Sequence, residues 1–165
     1  MSAATTKSET VAPAAASLLT RILNEGYGPG AWHGADLKAA LADVSDAHAY
    51  TRPAPGRHNI AEIAIHHAFY ARSVRERLTG TTVEPFVFKG EDWFAIDSAS
   101  VMPWKKIVST VDTLQKKLAD TVADVASGKV KSPLSASEQL DVVLGIACHA
   151  IYHAAQIQLV RKLVD

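Results

Sequence analysis

Cysteine occurs once in the 165 residues, as Cys148, so no disulfide can form within the chain. Cys148 sits between Ala147 and His149 in an apolar segment and is expected to be a buried structural thiol, with no neighbouring cation to activate it. An excess of either charge is also missing. Seventeen Lys and Arg balance 17 Asp and Glu, which leaves no global field to hold a polyanion, so nucleic acid is not an expected partner. Long apolar runs are lacking too. The longest, Leu140 to Ile151, is interrupted by Asp141 and His149 and falls short of the roughly 20 residues that a membrane span requires. The opening MSAATTKSETVAPAAAS has no contiguous apolar core and reads as a polar leader over residues 1–12 rather than a signal peptide, which points to a cytoplasmic, reducing setting. Strand patterning is confined to Val83–Phe88, where Pro85 argues against it, and no internal repeat is present.

What is there is helical. Apolar residues recur at helical spacing in four long stretches, which predicts one domain over residues 13–165. The first helix runs from Pro13 to Glu25 and stops at Gly26. A short helix follows over Gly34–Val44, and Ser45–Arg57, with two prolines and a glycine, reads as a connector. The second long helix starts at His58 or Asn59 and runs to Leu78, with Gly80 as its stop. Asn59 and Glu62 have the spacing of a capping box. Residues 79–102 have no sustained period and form a long loop, a type that often shields a site. The third helix, Pro103–Ala126, carries the stripe Ile107, Val111, Leu114, Leu118, Val122 and Val125. The last helix, Ser135–Leu163, is the most apolar. The fold class is therefore all-α, a four-helix bundle with a long crossover loop.

The last helix carries an anomaly. Steps of three and four give Val142, Ile146, His149, His153, Gln156, Val160 and Leu163, which places three polar groups at consecutive positions of a core-facing stripe. Burying an unpaired imidazole or carboxamide costs roughly 1–3 kcal/mol, so the interior must satisfy them. A metal ion does this. Residues i and i+4 lie about 6 Å apart along the helix and about 40° around it, so His149 and His153 can converge on one ion. The zinc-protease motif HExxH is excluded, since Ala150 stands where the general base belongs. A further ligand is sought in the adjacent pair His66-His67 of the second long helix. Neighbours diverge by about 100°, so at most one faces the same ion. Periodicity leaves the choice open: His67 shares a stripe with Ile60, Ala64, Val74 and Leu78, and His66 with Ile63, Tyr70 and Ser73.

Several local patterns recur in a known order: Ala31-Trp32-His33-Gly34, Arg52-Pro53-x-Pro55-Gly56, and His58-Asn-Ile-Ala-Glu62-x-x-x-His66. Tyr70 and Leu78 lie four and twelve residues beyond His66. Glu91-Asp92-Trp93 falls in the long loop, and His149-x-x-x-His153-x-x-Gln156 closes the series. Over about residues 15–163 the chain resembles the DinB-like (YfiT-like) family of small metal-dependent proteins. The resemblance implies an up-down-down-up order of the long helices and a metal held by His66, His149 and His153, with the family register choosing His66 over His67. Two departures stand out. His67 replaces a residue that is usually apolar, and His153-Ala154-Ala155-Gln156 replaces a common His-Arg-Gly-Gln.

Three imidazoles leave at least one coordination position for water or substrate, the arrangement of catalytic sites, and zinc and nickel both accept an all-nitrogen set. Gln156 and Glu62 are the candidate catalytic groups, the first as hydrogen-bond partner of water or substrate and the second as a general base. Tyr70, Tyr152 and Glu62 are candidates to support the ligands, and Trp32 and Trp93 to wall the pocket. The resemblance implies a metal-assisted transferase acting with a low-molecular-weight thiol. The rivals are a metal-dependent hydrolase and a non-catalytic metal- or small-ligand-binding protein of stress response. A homodimer is expected, as in other such bundles.

Overall fold

Four helix starts in this chain carry their own acceptor. Asp36, Ser45, Asn59 and Ser135 each take the backbone N–H three residues on, at Ala39, His48, Glu62 and Glu138. The computed structural model describes residues 11–165, with side chains from residue 18 onward, so the leader expected over 1–12 lies almost wholly outside the described residues. The elements are α1 (Val11–Gly26), α2 (Leu37–Ala42), α3 (Asp46–Tyr50), α4 (Ile60–Thr79), α5 (Trp104–Ala126) and α6 (Ala136–Val164), with no strand among the described residues. The four long helices are those that the apolar periodicity marks. The connector differs from expectation. Ser45 caps a short helix, α3, inside the segment expected to be irregular, and Pro53 and Pro55 follow its end.

Helices α1, α6, α4 and α5 form a ring in which α1 packs on α6 and α5, and α4 packs on α6 and α5. After Gly80, in the left-handed region with φ 66°, the chain does not turn straight into α5. It runs back along α4: Glu84 pairs with Arg75, Asp92 meets His66, and Ile96 meets Glu62 and Asn59. Helix α5 thus begins beside the start of α4, and the two run parallel, with Arg75 level with Thr121 and His67 level with Gln115. Helix α6 returns antiparallel to α4. Pro133, just before α6, lies against Gly80 at the far end of α4, while His149 reaches His66 in the middle.

The α5 stripe is buried as expected, from Ile107 to Val125. In α4 every residue from Ile60 to Ala68 is buried, because the 80–103 crossover covers the face that α5 and α6 leave open. Phe69, Phe86, Phe88 and Phe94 interlock with ring centroids 5.2–5.7 Å apart and fasten this loop down. Helix α6 departs from expectation on two counts. Cys148 is exposed rather than buried, and Leu163, at the end of the expected core stripe, is 61% exposed. By length and composition α6 would be able to cross a membrane, but 44% of its most apolar window is buried against the bundle.

Asn59 joins three elements. Its Oδ1 caps α4 and its Nδ2 donates to the Ile96 carbonyl in the crossover at 2.7 Å and to the Tyr50 carbonyl of α3 at 3.3 Å, all in a fully buried position. Asn59→Ala is therefore expected to lose the cap and leave a buried carbonyl unmet, a cost of about 2–4 kcal/mol in urea denaturation. Asn59→Asp keeps the cap but has no donor for Ile96, so it should not restore wild-type stability.

Candidate metal centre

The middle of α6 and the middle of α4 bring three imidazoles together. His149 Nε2 lies 3.2 Å from His66 Nε2 and 3.0 Å from His153 Nε2. The three residues offer ligand atoms within 4.8 Å of one another, and among the described residues no carboxylate or thiol joins them. His66 and His153 are buried, and His149 is partly exposed.

The reverse side of each ring is held. His66 Nδ1 donates to the Asp92 carbonyl at 2.9 Å, and the Asp92 carboxylate lies 3.2 Å from the same nitrogen. His153 Nδ1 donates to Gln156 Oε1 at 2.6 Å, while Gln156 Nε2 donates to the Tyr152 hydroxyl. His149 Nδ1 faces His67 Nδ1 at 3.4 Å, and His67 Nε2 donates to Gln115 Oε1 at 3.3 Å. A neutral imidazole carries one N–H, so His67 with its proton on Nε2 is the acceptor for His149. With the Nδ1 protons so placed, all three Nε2 atoms present lone pairs to one point. No proton is left there to link them.

That is an electron-rich pocket suited to a cation. Tetrahedral zinc with Zn–N of about 2.0–2.1 Å separates its nitrogens by roughly 3.3 Å, close to the spacing present. Acceptors on the far nitrogens of metal-bound histidines are the usual means of fixing tautomer and ring orientation. The residues fit a divalent ion, with His66, His149 and His153 as its holders. Burial, followed by the neighbouring imidazoles, pushes His149 down to about 3, and burial pushes His153 down to about 4. Burial likewise lowers His66 and takes His67 to about 3. The whole cluster is neutral at neutral pH, the state that metal binding needs.

The crossover loop builds the outer wall. Asp92 has a left-handed backbone, φ 67°, beside Gly90. Asp tolerates that conformation better than most residues, and here it aims both carbonyl and carboxylate at His66. Trp93 is sandwiched between His66 and His58, with centroids 3.9 and 3.6 Å away. His58 donates to Glu62 Oε2, and the Arg52 guanidinium donates to both carboxylate oxygens of Glu62. The Ile96 N–H also reaches Glu62. Although burial opposes it, hydrogen bonds from Arg52, His58 and Ile96 hold the Glu62 carboxyl below its ordinary pKa. This also explains why the expected capping box is half formed. Asn59 caps α4, but Glu62 is turned to Arg52 and His58 instead of the Asn59 N–H.

Among the residues proposed from sequence, the structure brings together His66, His149, His153 and Gln156, with Tyr70 and Tyr152 beside them. Tyr70 donates to the Asp92 carboxylate and packs on His66. Trp93 walls the site, whereas Trp32 is 91% exposed and packs against none of its rings. Sequence reasoning missed the roles of Asp92, His67, Gln115, Arg52 and His58. Gln115 left a signal, a polar residue between Val111 and Leu118 on the buried side of α5.

His67→Leu removes the acceptor that holds His149, and metal affinity measured by competition with a chelator should fall about 10–100-fold. A lower melting temperature with unchanged affinity would make His67 a packing residue only. In chelator-treated protein the depressed histidines set a second expectation. The unfolded chain takes up protons near pH 6.5, which the folded cluster refuses until pH 3–4. Stability is therefore full above about pH 6.5 and declines as the pH falls toward 4. The urea midpoint should drop between pH 7.5 and 5, and the drop should shrink in His149→Ala.

No curated protein and no solved structure matches the chain. Residues 31–157, more than three quarters of the sequence, match the family model described as DinB superfamily. The matched span runs from the Ala31-Trp32-His33-Gly34 turn through all three clustered histidines and Gln156. The chain belongs to the DinB superfamily.

Proposed function

We propose that this protein is a metal-dependent transferase that joins a low-molecular-weight thiol to an electrophile. The observation that carries this reading is the convergence of three Nε2 lone pairs with every opposite nitrogen already engaged. A closed structural site would recruit a fourth protein ligand, and none stands with the three among the described residues. A zinc or nickel ion held there would act as a Lewis acid that acidifies a thiol at its remaining position.

The chain's own residues then do the rest. His153 and Gln156 form one unit, and Tyr152 orients the Gln156 amide at the edge of the site. A groove of about 610 Å³ opens on the same edge, between Pro53, Arg57, Trp93, Gln156, Leu159 and Leu163. Its walls are largely apolar. Arg57 has no ion-pair partner among the described residues and offers a positive charge to an anionic group on the thiol or its partner substrate. In the reaction the thiol S–H proton passes to solvent and the sulfur bonds to the electrophilic carbon. The leaving group departs with the electron pair of the broken bond. Trp93 and the crossover beneath it exclude water from the His66 side.

The hydrolase reading needs a free carboxylate as general base. Glu62 is the carboxylate that the sequence offers for this role, and both Glu62 oxygens are bound by Arg52, His58 and Ile96. This favours thiol transfer and gives Glu62 a positioning role through His58 and Trp93. Metal analysis of protein purified without a histidine tag should find about one zinc or nickel per chain. The loaded protein should consume an electrophile only with thiol present, and His149→Ala should abolish that activity. Ester hydrolysis without thiol, lost in Glu62→Gln, would make the protein a hydrolase instead.

A further inference from the structure

The groove beside the metal centre is polar at one end only. Tyr152, Gln156, Leu159 and Leu163 line it at steps of four, three and four along α6, a stripe about 16 Å long at the helical rise. Tyr152 and Gln156 stand next to His153. Beyond them the wall is aliphatic, with Ile63 and Val160 buried at its base and Leu159 and Leu163 exposed on its rim.

Across from α6, the connector that precedes α4 contributes Pro53 and Arg57. Among the described residues no carboxylate lines the groove. The Arg57 guanidinium is exposed and without an ion-pair partner there, so it sets the charge of the groove. His58, the other basic residue, is already bonded to Glu62 and stacked on Trp93.

These features decide which of the two reactants belongs in the groove. A small thiol cofactor is dense in polar groups, and burying them against Ile63, Val160 and Leu159 without partners costs free energy. An apolar chain or ring covers the same side chains with a gain, because it takes the rim leucines out of water. One acidic group on that body meets Arg57, whose planar fork suits a carboxylate or a similar oxyanion. A cationic group would meet it as a like charge.

We infer that the electrophile is an amphipathic acid. Its elongated apolar body lies along Leu159, Val160 and Leu163, its oxyanion meets Arg57, and its reacting carbon points to the Gln156 end. That this molecule is the substrate rests on the thiol-transfer reading. Its binding does not, because none of Arg57, Leu159, Val160 and Leu163 is among the clustered metal-binding groups.

The probe is decanoate, an unreactive acid of this shape, titrated below its micellar concentration into the full chain by calorimetry after chelator treatment. Wild type is expected to bind decanoate, and to bind both butyrate and decyltrimethylammonium more weakly. Arg57→Ala should weaken decanoate about tenfold, the loss of one charge-assisted hydrogen bond, and Arg57→Lys should recover part of it. Leu159→Gln should weaken decanoate and leave butyrate unchanged. Both positions are exposed, so the variants are expected to melt as wild type does. Absence of decanoate binding, which a second copy seated in the groove would also produce, overturns the inference. So does equal affinity for the cation, or an affinity that neither variant moves. Thiol-dependent consumption of an electrophile by protein that ignores decanoate strikes this inference alone. Decanoate bound through Arg57 and Leu159, in protein that transfers no thiol, upholds the ligand class and strikes the transferase reading instead.

Discussion

Three neutral imidazoles pointing their lone pairs at one another inside a protein are an arrangement that ordinary packing would relax. A single rotation of His149 would bring its Nδ1–H to a neighbouring lone pair. What prevents this is the acceptor behind each ring: the Asp92 carbonyl, His67 and Gln156. They come from three different places, the crossover, α4 and α6, so the orientation of the cluster depends on the whole assembly. In apolar surroundings each of these hydrogen bonds counts for more than at a surface, because the alternative is an unmet polar group. The polar cluster in turn sets the register of α4 against α6.

The crossover is as much a part of the site as the helices. It lies on α4 because Phe69, Phe86, Phe88 and Phe94 bury their rings together, and because Asn59 and Glu62 hold the Ile96 backbone at both its carbonyl and its N–H. Glu62 looks like a candidate base when only its type and position are read. Its environment gives it another task. Paired with Arg52 and bonded to His58, it supports the stack in which Trp93 is pressed onto His66. A buried carboxylate with every oxygen engaged stabilises geometry, whereas a base must have a lone pair to spare.

How much of this is legible in the sequence follows from where burial is one-sided. Helix α5 has one buried face, and its stripe reads directly from Ile107 to Val125. The caps and stops at Asn59, Gly80 and Ser135 are local chemistry and are equally open to reading, save that Ser45 also starts a helix. The choice between His66 and His67 is closed to periodicity for a physical reason: α4 is buried on every side over Ile60–Ala68, so both residues lie in apolar surroundings. The resemblance to the family supplies the register. Both histidines serve the cluster at different depths, His66 with its Nε2 in the centre and His67 behind His149. The role of Asp92 is hidden because its shortest contact to His66 is made by a backbone carbonyl in a left-handed turn, which no side-chain pattern encodes.

Helix α6 defeats the burial argument in the opposite way. A helix that is apolar all round offers no contrast from which to pick its inner face, so Cys148 and Leu163, expected in the core, stand on the surface. The polar residues His149, His153 and Gln156 are the true guide, because in such a helix polarity marks the functional side and apolarity marks nothing. An exposed apolar face on a helix whose other side is packed carries a cost in solubility unless something covers it. Helix α6 thus carries two of the three clustered imidazoles on the side that its polar residues mark, while Leu144 and Leu159 lie exposed on the other.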